Sequence, residues 1–306
     1  MRAIRDNPVG RWCYKHRWGL LIFFLPVAIM YLVYSCFGVH PYGDLSVLVL
    51  DLNGQYVSYY EMMKDAIFGD HSLIYSWSRN LSGETLGIFG YYLASPFLWI
   101  VLLLPRTMMC GALEIMQLVK IGCCALAFAY YLRKSKGASN YMQLIFSVSY
   151  ALMTYIVVQL MNPMWIDGMI WLPIIVLGIE ELVDNGKMLK LILSLSIMFI
   201  SNFYIGYMIG FFSAIYFVYY IFSRPGHAIA PHFVKAGLKF AASAVISVLT
   251  AAVVLIPVYC SLSLGKLSFS SPDFTPENQF SIFDFLTKLF PNSYDTVRPE
   301  GLPIIA

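Results

Sequence analysis

The first long apolar run, residues 18–37, reads WGLLIFFLPVAIMYLVYSCF and contains no charged side chain. About 20 apolar residues are enough to cross the hydrocarbon core of a bilayer as a helix. The run is too long for the apolar part of a signal peptide, and no small-x-small cleavage site follows it. We therefore interpret it as a retained first transmembrane span.

The rest of the chain has the same apolar character. Of its 306 residues, 59% are hydrophobic, 16% aromatic and 12% charged, and the mean hydropathy is +0.69. A soluble core cannot hide that much apolar surface, so nucleic-acid binding, a soluble Rossmann enzyme and disorder are disfavoured. The net charge of +3 is too small to indicate a polyanionic partner. The composition predicts an all-α, polytopic transmembrane helical bundle.

Eight apolar runs are candidates for spans, and one of them is weak. Residues 91–104 number only 14, are interrupted by Ser95 and Pro96, and end at Pro105. That length suits a re-entrant or interfacial helix better than a crossing. The eight runs are residues 18–37, 91–104, 111–132, 142–161, 164–183, 188–201, 205–222 and 238–259.

Basic residues predict the orientation. Five precede the first run, whereas loop 39–90 has six acids against Lys64 and Arg79. By the positive-inside rule, residues 1–17 are cytoplasmic and this loop is external. With residues 91–104 not crossing, seven spans remain, and the two later basic clusters also face the cytoplasm. We predict one membrane domain over residues 1–306: a first external loop at 39–110, a helix bundle at 111–260 and an external segment at 261–306.

Asp51 is the first candidate for chemistry. A carboxylate just outside a span, in a partly dehydrated loop, can act as a general base on a hydroxyl at neutral pH. Asp51 follows an apolar segment that would tuck it toward the bilayer, whereas Asp44 beside Gly43 is typical of a turn. The alternative is that Asp51 caps a helix over residues 53–68, and spacing alone favours the cap.

Asp167 lies in the string NPMWIDG at residues 162–168, with apolar sequence on both sides. An ionisable group near hydrocarbon is costly and is therefore a functional candidate. The alternative is an interfacial acid that caps a helix beside Trp165. On the predicted topology Asp51 and Asp167 face the same compartment. They could flank one site, one as base and the other orienting an acceptor or holding a divalent metal ion.

Two cations are candidates for holding a phosphate. Glu114, Gln117 and Lys120 share one helical face, which predicts a polar surface turned into the bundle or a cavity. Lys120 could bind a lipid phosphate there, or it could simply pair with Glu114 or another acid inside the bundle. Arg79, in the outer loop, is either a second phosphate ligand or a solvated arginine. Cysteine and histidine spacings predict no metal site.

Five strings of the sequence resemble the YfhO family of bacterial membrane proteins. They are DLNGQY at residues 51–56, WSRNLSG at 77–83, YYLASPF at 91–97, the pattern Asn162-x-x-Trp165-x-Asp167, and NFYIGY at 202–207. They occur in family order across nearly the whole chain. Family members are much longer, and this chain ends on a Gly/Pro-punctuated loop, so we expect it to be an amino-terminal portion.

The resemblance implies a GT-C-like module of about seven spans with a non-crossing helix in the first external loop. Such proteins look like glycosyltransferases that pass a sugar from a polyprenyl-phosphate carrier to a cell-wall polymer, such as teichoic or lipoteichoic acid, on the outer face of the bacterial cell membrane. Asp51 matches the position of the base, and Asp167 matches the position of its supporting acid. The substrate-binding residues would be Asp44, Gln55, Tyr56, Arg79, Lys120, Asn162, Trp165, Asn202 and Tyr204.

Two other function classes stay open at this point. A transporter or flippase of a lipid-linked precursor would line its route with the polar face of Glu114, Gln117 and Lys120. A non-enzymatic scaffold would tolerate substitution of both Asp51 and Asp167. The grouping of acids on the external side favours the enzyme over the scaffold and hardly separates it from the transporter.

Overall fold

The computed structural model of the chain describes residues 8–77, 83–224 and 229–264 and confirms an all-α architecture. Among these residues, sheet is confined to one antiparallel pair, β1 (Tyr75–Ser76) with β2 (Gly83–Glu84). The helices are α1 Pro8–Cys36, α2 Val57–Phe68, α3 Leu86–Ile88, α4 Leu98–Leu103, α5 Met109–Ser135, α6 Asn140–Ala151, α7 Thr154–Val158, α8 Pro163–Asn185, α9 Leu189–Ser201, α10 Phe203–Phe222 and α11 Ile229–Leu264.

The chain divides into two compact units, Met1–Leu262 and Ser263–Ala306. The helix bundle belongs to the first unit. Nearly all of the second unit, and with it most of the predicted external segment 261–306, lies outside the described residues.

Within the described ranges, four helical segments are long and apolar enough to cross a membrane: Tyr14–Cys36, Arg106–Ser135, Phe203–Phe222 and Pro231–Ser263. A fifth span results if Asn140–Ala151 and Thr154–Met161, which meet at a bend of 41°, form one broken crossing. With α8 and the shorter α9 also crossing, the total would be the predicted seven, a count that stays a prediction. The apolar helices and their length make this a membrane protein.

The weak run at residues 91–104 is not a single helix. A π-helical turn covers Phe89–Leu93, and α4 covers Leu98–Leu103 after a break at Ser95 and Pro96. Neither piece is long enough to cross a bilayer. Gly90 lets the π turn approach α11, because a Cβ there would lie 2.2 Å from a methyl of Val258.

Helix α5 lies at the centre of the bundle. It packs against α1, α6 and α8, and α8 packs in turn against α9 and α10. Small residues permit these close approaches: a Cβ on Gly122 would lie 2.5 Å from the ring of Phe23, and one on Gly178 would lie 2.9 Å from the backbone of Leu191. The central position of α5 explains why its polar side chains are buried and must find partners within the protein.

The two later basic clusters lie at the same end of the bundle, as the seven-span topology requires. Lys136 Nζ lies 3.6 Å from Glu180 Oε1, and an Arg224 guanidinium nitrogen lies 2.5 Å from Asp184 Oδ2. Glu180 and Asp184 are one turn apart near the carboxyl end of α8. Asp51, Asn162 and Asn202 belong to the opposite ends of the helices, where α8 and α10 begin.

Candidate functional site

Asp51 begins a helical stretch as an exposed carboxylate. Leu50, immediately before it, has a φ of 48°, a left-handed conformation that costs a residue other than glycine roughly 1 kcal/mol. Strained backbone of this kind is found most often at functional sites. The π-helical turn Leu52–Tyr56 follows, and Asp51 makes no side-chain capping hydrogen bond to it. The structure therefore lacks the capping bond that the alternative interpretation of Asp51 requires.

The hydroxyl of Tyr56 connects Asp51 to the start of α8. It lies 2.9 Å from Asn162 Oδ1 and 3.3 Å from Asp51 Oδ2, so its one proton can be donated to either acceptor. Asn162 is held in turn by its own donation to Gln159 Oε1 at 2.8 Å. This chain of bonds positions an exposed carboxylate on a buried, rigid support. Asp51 itself is exposed, so the structure does not show the partial dehydration that the apolar segment before it suggested.

Asp167 and Lys120 form a buried ion pair between α8 and α5. Lys120 Nζ lies 2.8 Å from Asp167 Oδ2, and the two side chains are 1% and 0% exposed. The ammonium also donates to Pro163 O at 2.6 Å and lies 3.4 Å from Ser95 Oγ. Asp167 Oδ1 has no hydrogen-bond partner among the described residues. This is the geometry of an interior pair, the alternative to phosphate binding, and the partner is Asp167 rather than Glu114.

The remaining polar residues of α5 are also buried. Gln117 accepts a hydrogen bond from Tyr34 at 3.0 Å and donates to Leu160 O at 2.8 Å. Glu114 is only 5% exposed. The polar face that a transporter would use to line a route is thus packed into the bundle in this structure.

Tyr91 connects its own string, residues 91–97, with the two strings that contain Trp165 and Asn202. These residues, with Tyr204 and Tyr92, are called the Tyr91 cluster below. Its hydroxyl accepts from Trp165 Nε1 at 3.1 Å, and its carbonyl accepts from Asn202 Nδ2 at 2.8 Å. Asn202 also caps α10, since its Oδ1 accepts from Ile205 N at 2.8 Å. The ring of Tyr204 lies 6.0 Å from that of Tyr91.

Tyr92 completes the cluster on the side of Asp51. Its ring centroid lies 5.0 Å from those of both Tyr56 and Tyr59. Burial, with the nearby Tyr59, Tyr91 and Asp51, raises the pKa of Tyr92 to about 12. Burial and then the charge of Asp51 raise the pKa of Tyr56 as well. Both phenols therefore stay neutral hydrogen-bond donors near pH 7.

Tyr91 and Tyr92 are not among the site residues predicted from the sequence. Both occur in the string that carries the family resemblance, but a pair of tyrosines inside an apolar run is also typical of an interface belt. The π-helical turn Leu52–Tyr56 ends on Tyr56, and the π-helical turn Phe89–Leu93 contains Tyr91 and Tyr92. Such turns are frequent at functional sites, although their presence is not readable from composition.

The other sequence candidates lie apart from the cluster or cannot be placed. Asp44 is exposed in the turn that follows α1, and Gln55 is exposed on the helix that begins at Asp51. Arg79 lies outside the described residues. Within the part of the chain that the structure describes, no group of three or more His, Cys, Asp or Glu side chains is placed to hold a metal ion.

Comparison with known proteins gives one family and one relative. The sequence model described as Bacterial membrane protein YfhO matches residues 22–306. A Bacillus subtilis (strain 168) protein named Uncharacterized protein YfhO is 26% identical over 233 residues, which cover 70% of this chain and 26% of the relative. The chain thus corresponds to about a quarter of the length of that relative. No solved structure matches the chain.

Proposed function

Because the chain belongs to the YfhO family of bacterial membrane proteins, we propose that it is a membrane glycosyltransferase whose general base is Asp51. Its donor is a sugar linked to polyprenyl phosphate, and its acceptor is an extracellular wall polymer such as teichoic or lipoteichoic acid. The observation that carries this proposal is the exposed carboxylate of Asp51, held by Tyr56 against Asn162 where α8 begins.

The reaction is a single displacement with inversion at the anomeric carbon. Asp51 takes the proton of an acceptor hydroxyl while that oxygen bonds to the anomeric carbon, and the bond from this carbon to the lipid phosphate oxygen breaks. The proton ends on Asp51, and the electron pair of the broken bond leaves with the phosphate. One base is sufficient for a displacement of this kind when the leaving group is already a phosphate.

Asp167 has a different role in this scheme from that of Asp51. Its carboxylate is fully buried and bound to Lys120, so it supports the position of Asn162 through the start of α8 rather than touching substrate. Lys120 is occupied by the same pair, which leaves Arg79 as the outer-loop cation proposed to neutralise the leaving phosphate. A divalent ion would be an alternative neutralising group.

The proposed topology places the amino terminus in the cytoplasm and Asp51 outside. The convergence of both basic clusters near Glu180 and Asp184, at the opposite end of α8 from Asn162, supports this orientation. The donor would then reach Asp51 from the outer leaflet of the cell membrane.

The experiment measures transfer of radiolabelled sugar from a polyprenyl-phosphate-linked donor to wall polymer in membranes containing the intact protein. Asp51→Asn should reduce transfer by about 10²- to 10⁴-fold, the usual contribution of a general base. Asp70→Asn, which alters another exposed acid of the same loop, is the matched control and should transfer normally. Normal transfer by correctly inserted Asp51→Asn protein would refute the assignment of the base.

A further inference from the structure

An open cleft of about 440 Å³ lies beside the helix that begins at Asp51. Its volume falls in the range of small-molecule sites, roughly 300–1,000 Å³. One wall is the exposed side of this helix, and the other is the segment around His71, Ser72 and Ser76. The ion pair, the Tyr91 cluster and the proposed mechanism do not use this cleft.

The helical wall of the cleft continues the face that carries Asp51. Gln55, Ser58, Met62 and Asp65 line the cleft and follow one another at intervals of three or four residues, which places them on one side of a helix. Asp51 precedes Gln55 by about one turn and is exposed like it. The proposed base therefore stands at the amino-terminal end of this polar wall.

The opposite side of the same helix is anchored in the bundle. Leu52, Tyr56 and Tyr60 are all less than 9% exposed. The polar wall is consequently held by a packed helix, and its donors and acceptors have fixed positions. A rigid array of this kind loses little conformational freedom when a ligand binds.

The chemistry of the lining fits an uncharged, hydroxyl-rich ring. Gln55 and Ser58 offer both donors and acceptors, Glu61 and Asp65 offer carboxylate acceptors for hydroxyl groups, and Tyr59 adds an aromatic ring. Sugar hydroxyls are both donors and acceptors, so a mixed array of amide, hydroxyl and carboxylate groups can satisfy them.

The charge of the lining disfavours a phosphate. Neither lysine nor arginine is among the described residues that line the cleft, while two carboxylates are. The nearby Arg106 is already paired with Asp65. Among the described lining residues, a phosphate would face Glu61 with no lysine or arginine beside it, and like charges at close range repel.

We propose that this cleft is the subsite for a neutral sugar ring during transfer. Its biological role rests on the proposed function, but binding of the ring does not. The ring could belong to the lipid-linked donor or to a glycosylated acceptor, since both present the same hydroxyl chemistry. The lipid phosphate binds elsewhere.

A larger side chain at Gly54 can test the proposal by filling the cleft. It lines the cleft, and a Cβ added to it would meet nothing within 4 Å. A leucine side chain at this position therefore extends into open space instead of displacing protein. Gly237 in α11 has equally open surroundings and lies outside the cleft, so Gly237→Leu is the matched control. Ser58→Leu blocks the same wall one turn later and serves as a second variant.

The test is saturation-transfer NMR on the intact protein in a detergent without a sugar headgroup. The probes are methyl β-D-glucopyranoside and glycerol 3-phosphate. We expect saturation of the glycoside by wild-type and Gly237→Leu protein, and a loss of about tenfold or more in Gly54→Leu and Ser58→Leu protein. Glycerol 3-phosphate should give the weaker signal, which Glu61→Gln should increase.

Three results would overturn the subsite. Wild-type protein could fail to saturate the glycoside, both blocked variants could saturate it as strongly as wild-type protein does, or wild-type protein could saturate glycerol 3-phosphate more strongly than the glycoside. The transfer assay separates this failure from failure of the proposed function. Normal transfer by the blocked variants, with transfer still lost in Asp51→Asn protein, would remove the subsite and leave the glycosyltransferase. Glycoside binding as described, with no transfer by wild-type protein, would leave the subsite and remove the glycosyltransferase.

The same transfer assay distinguishes the two sources of the ring. A rise in KM for the lipid-linked donor alone in Ser58→Leu protein would assign the cleft to the donor sugar. A rise in KM for the wall polymer alone would assign it to an acceptor sugar. Unchanged KM values for both substrates would count against the subsite.

Discussion

The ammonium of Lys120 lies 2.8 Å from Oδ2 of Asp167, and the two side chains are 1% and 0% exposed. This pair joins α5 to α8 at the level where α8 begins. Because Lys120 also donates to Pro163 O, it fixes the backbone next to Asn162, which in turn binds Tyr56. The buried pair thus supports the exposed carboxylate of Asp51 indirectly, through Asn162 and Tyr56.

Removing one member of the buried pair should be strongly destabilising. Lys120→Met or Asp167→Leu leaves an uncompensated charge in the interior, at a cost of about 3–5 kcal/mol. The double variant should recover much of this loss because it leaves no charge behind. Thermal unfolding in detergent, followed by tryptophan fluorescence, measures the cycle.

A pair at the other end of the bundle is the control. Lys190 and Glu181 are 22% and 28% exposed, so Glu181→Gln should cost no more than about 1 kcal/mol. Single variants of the buried pair that melt with wild-type protein would contradict its structural role.

Loss of the Tyr56 hydroxyl should affect activity more than stability. Tyr56→Phe removes the bond to Asn162 at 2.9 Å and the contact with Asp51 at 3.3 Å. We expect a stability loss of about 1 kcal/mol and a fall in kcat of about tenfold or more as the base loses its support, with little change in KM. The transfer assay and a melting curve measure both effects. Tyr141→Phe, which alters an exposed tyrosine, should change neither; equal kcat values for both variants would argue against positioning by Tyr56.

Gly178 should tolerate no side chain. A Cβ there would lie 2.9 Å from both Cα and N of Leu191, and backbone atoms cannot move aside as a side chain can. Gly178→Val should therefore separate α8 from α9 and cost about 1–3 kcal/mol or more. Gly111→Ala is the comparison, since its Cβ meets nothing within 4 Å. That change should be neutral or stabilise by up to about 1 kcal/mol through helix propensity. Similar melting temperatures for the two variants would disprove the close approach.

Alkaline pH should weaken the fold partly through Tyr92. Burial raises the pKa of Tyr92 to about 12, whereas a tyrosine in the unfolded chain titrates near about 10. Between these values the unfolded chain binds fewer protons, so stability is complete below the unfolded pKa and falls as pH rises through the folded one. Melting temperatures measured from pH 9 to pH 12 should fall less steeply in Tyr92→Phe protein, and an unchanged slope would exclude this contribution.

Part of the site follows from local sequence. Asp51 and Asp167 stand out because each is an acid at the edge of an apolar run, and Asn162 and Asn202 immediately precede helices, where asparagine is favoured. Their roles differ in ways that spacing does not reveal. Asp51 is exposed on a polar helix face, whereas Asp167 is buried and bound to Lys120, which lies 47 positions away in the chain.

Run length, apolar content and proline are sufficient to predict the membrane class, the helical architecture and the break in the run at residues 91–104, because each of these signals acts within one segment. Three features are visible only in the folded chain. Lys120 pairs with Asp167, Tyr91 binds both Trp165 and Asn202, and a polar cleft lies beside Asp51. Those contacts depend on how each helix is rotated and offset against its neighbours, and packing across the whole bundle sets that rotation.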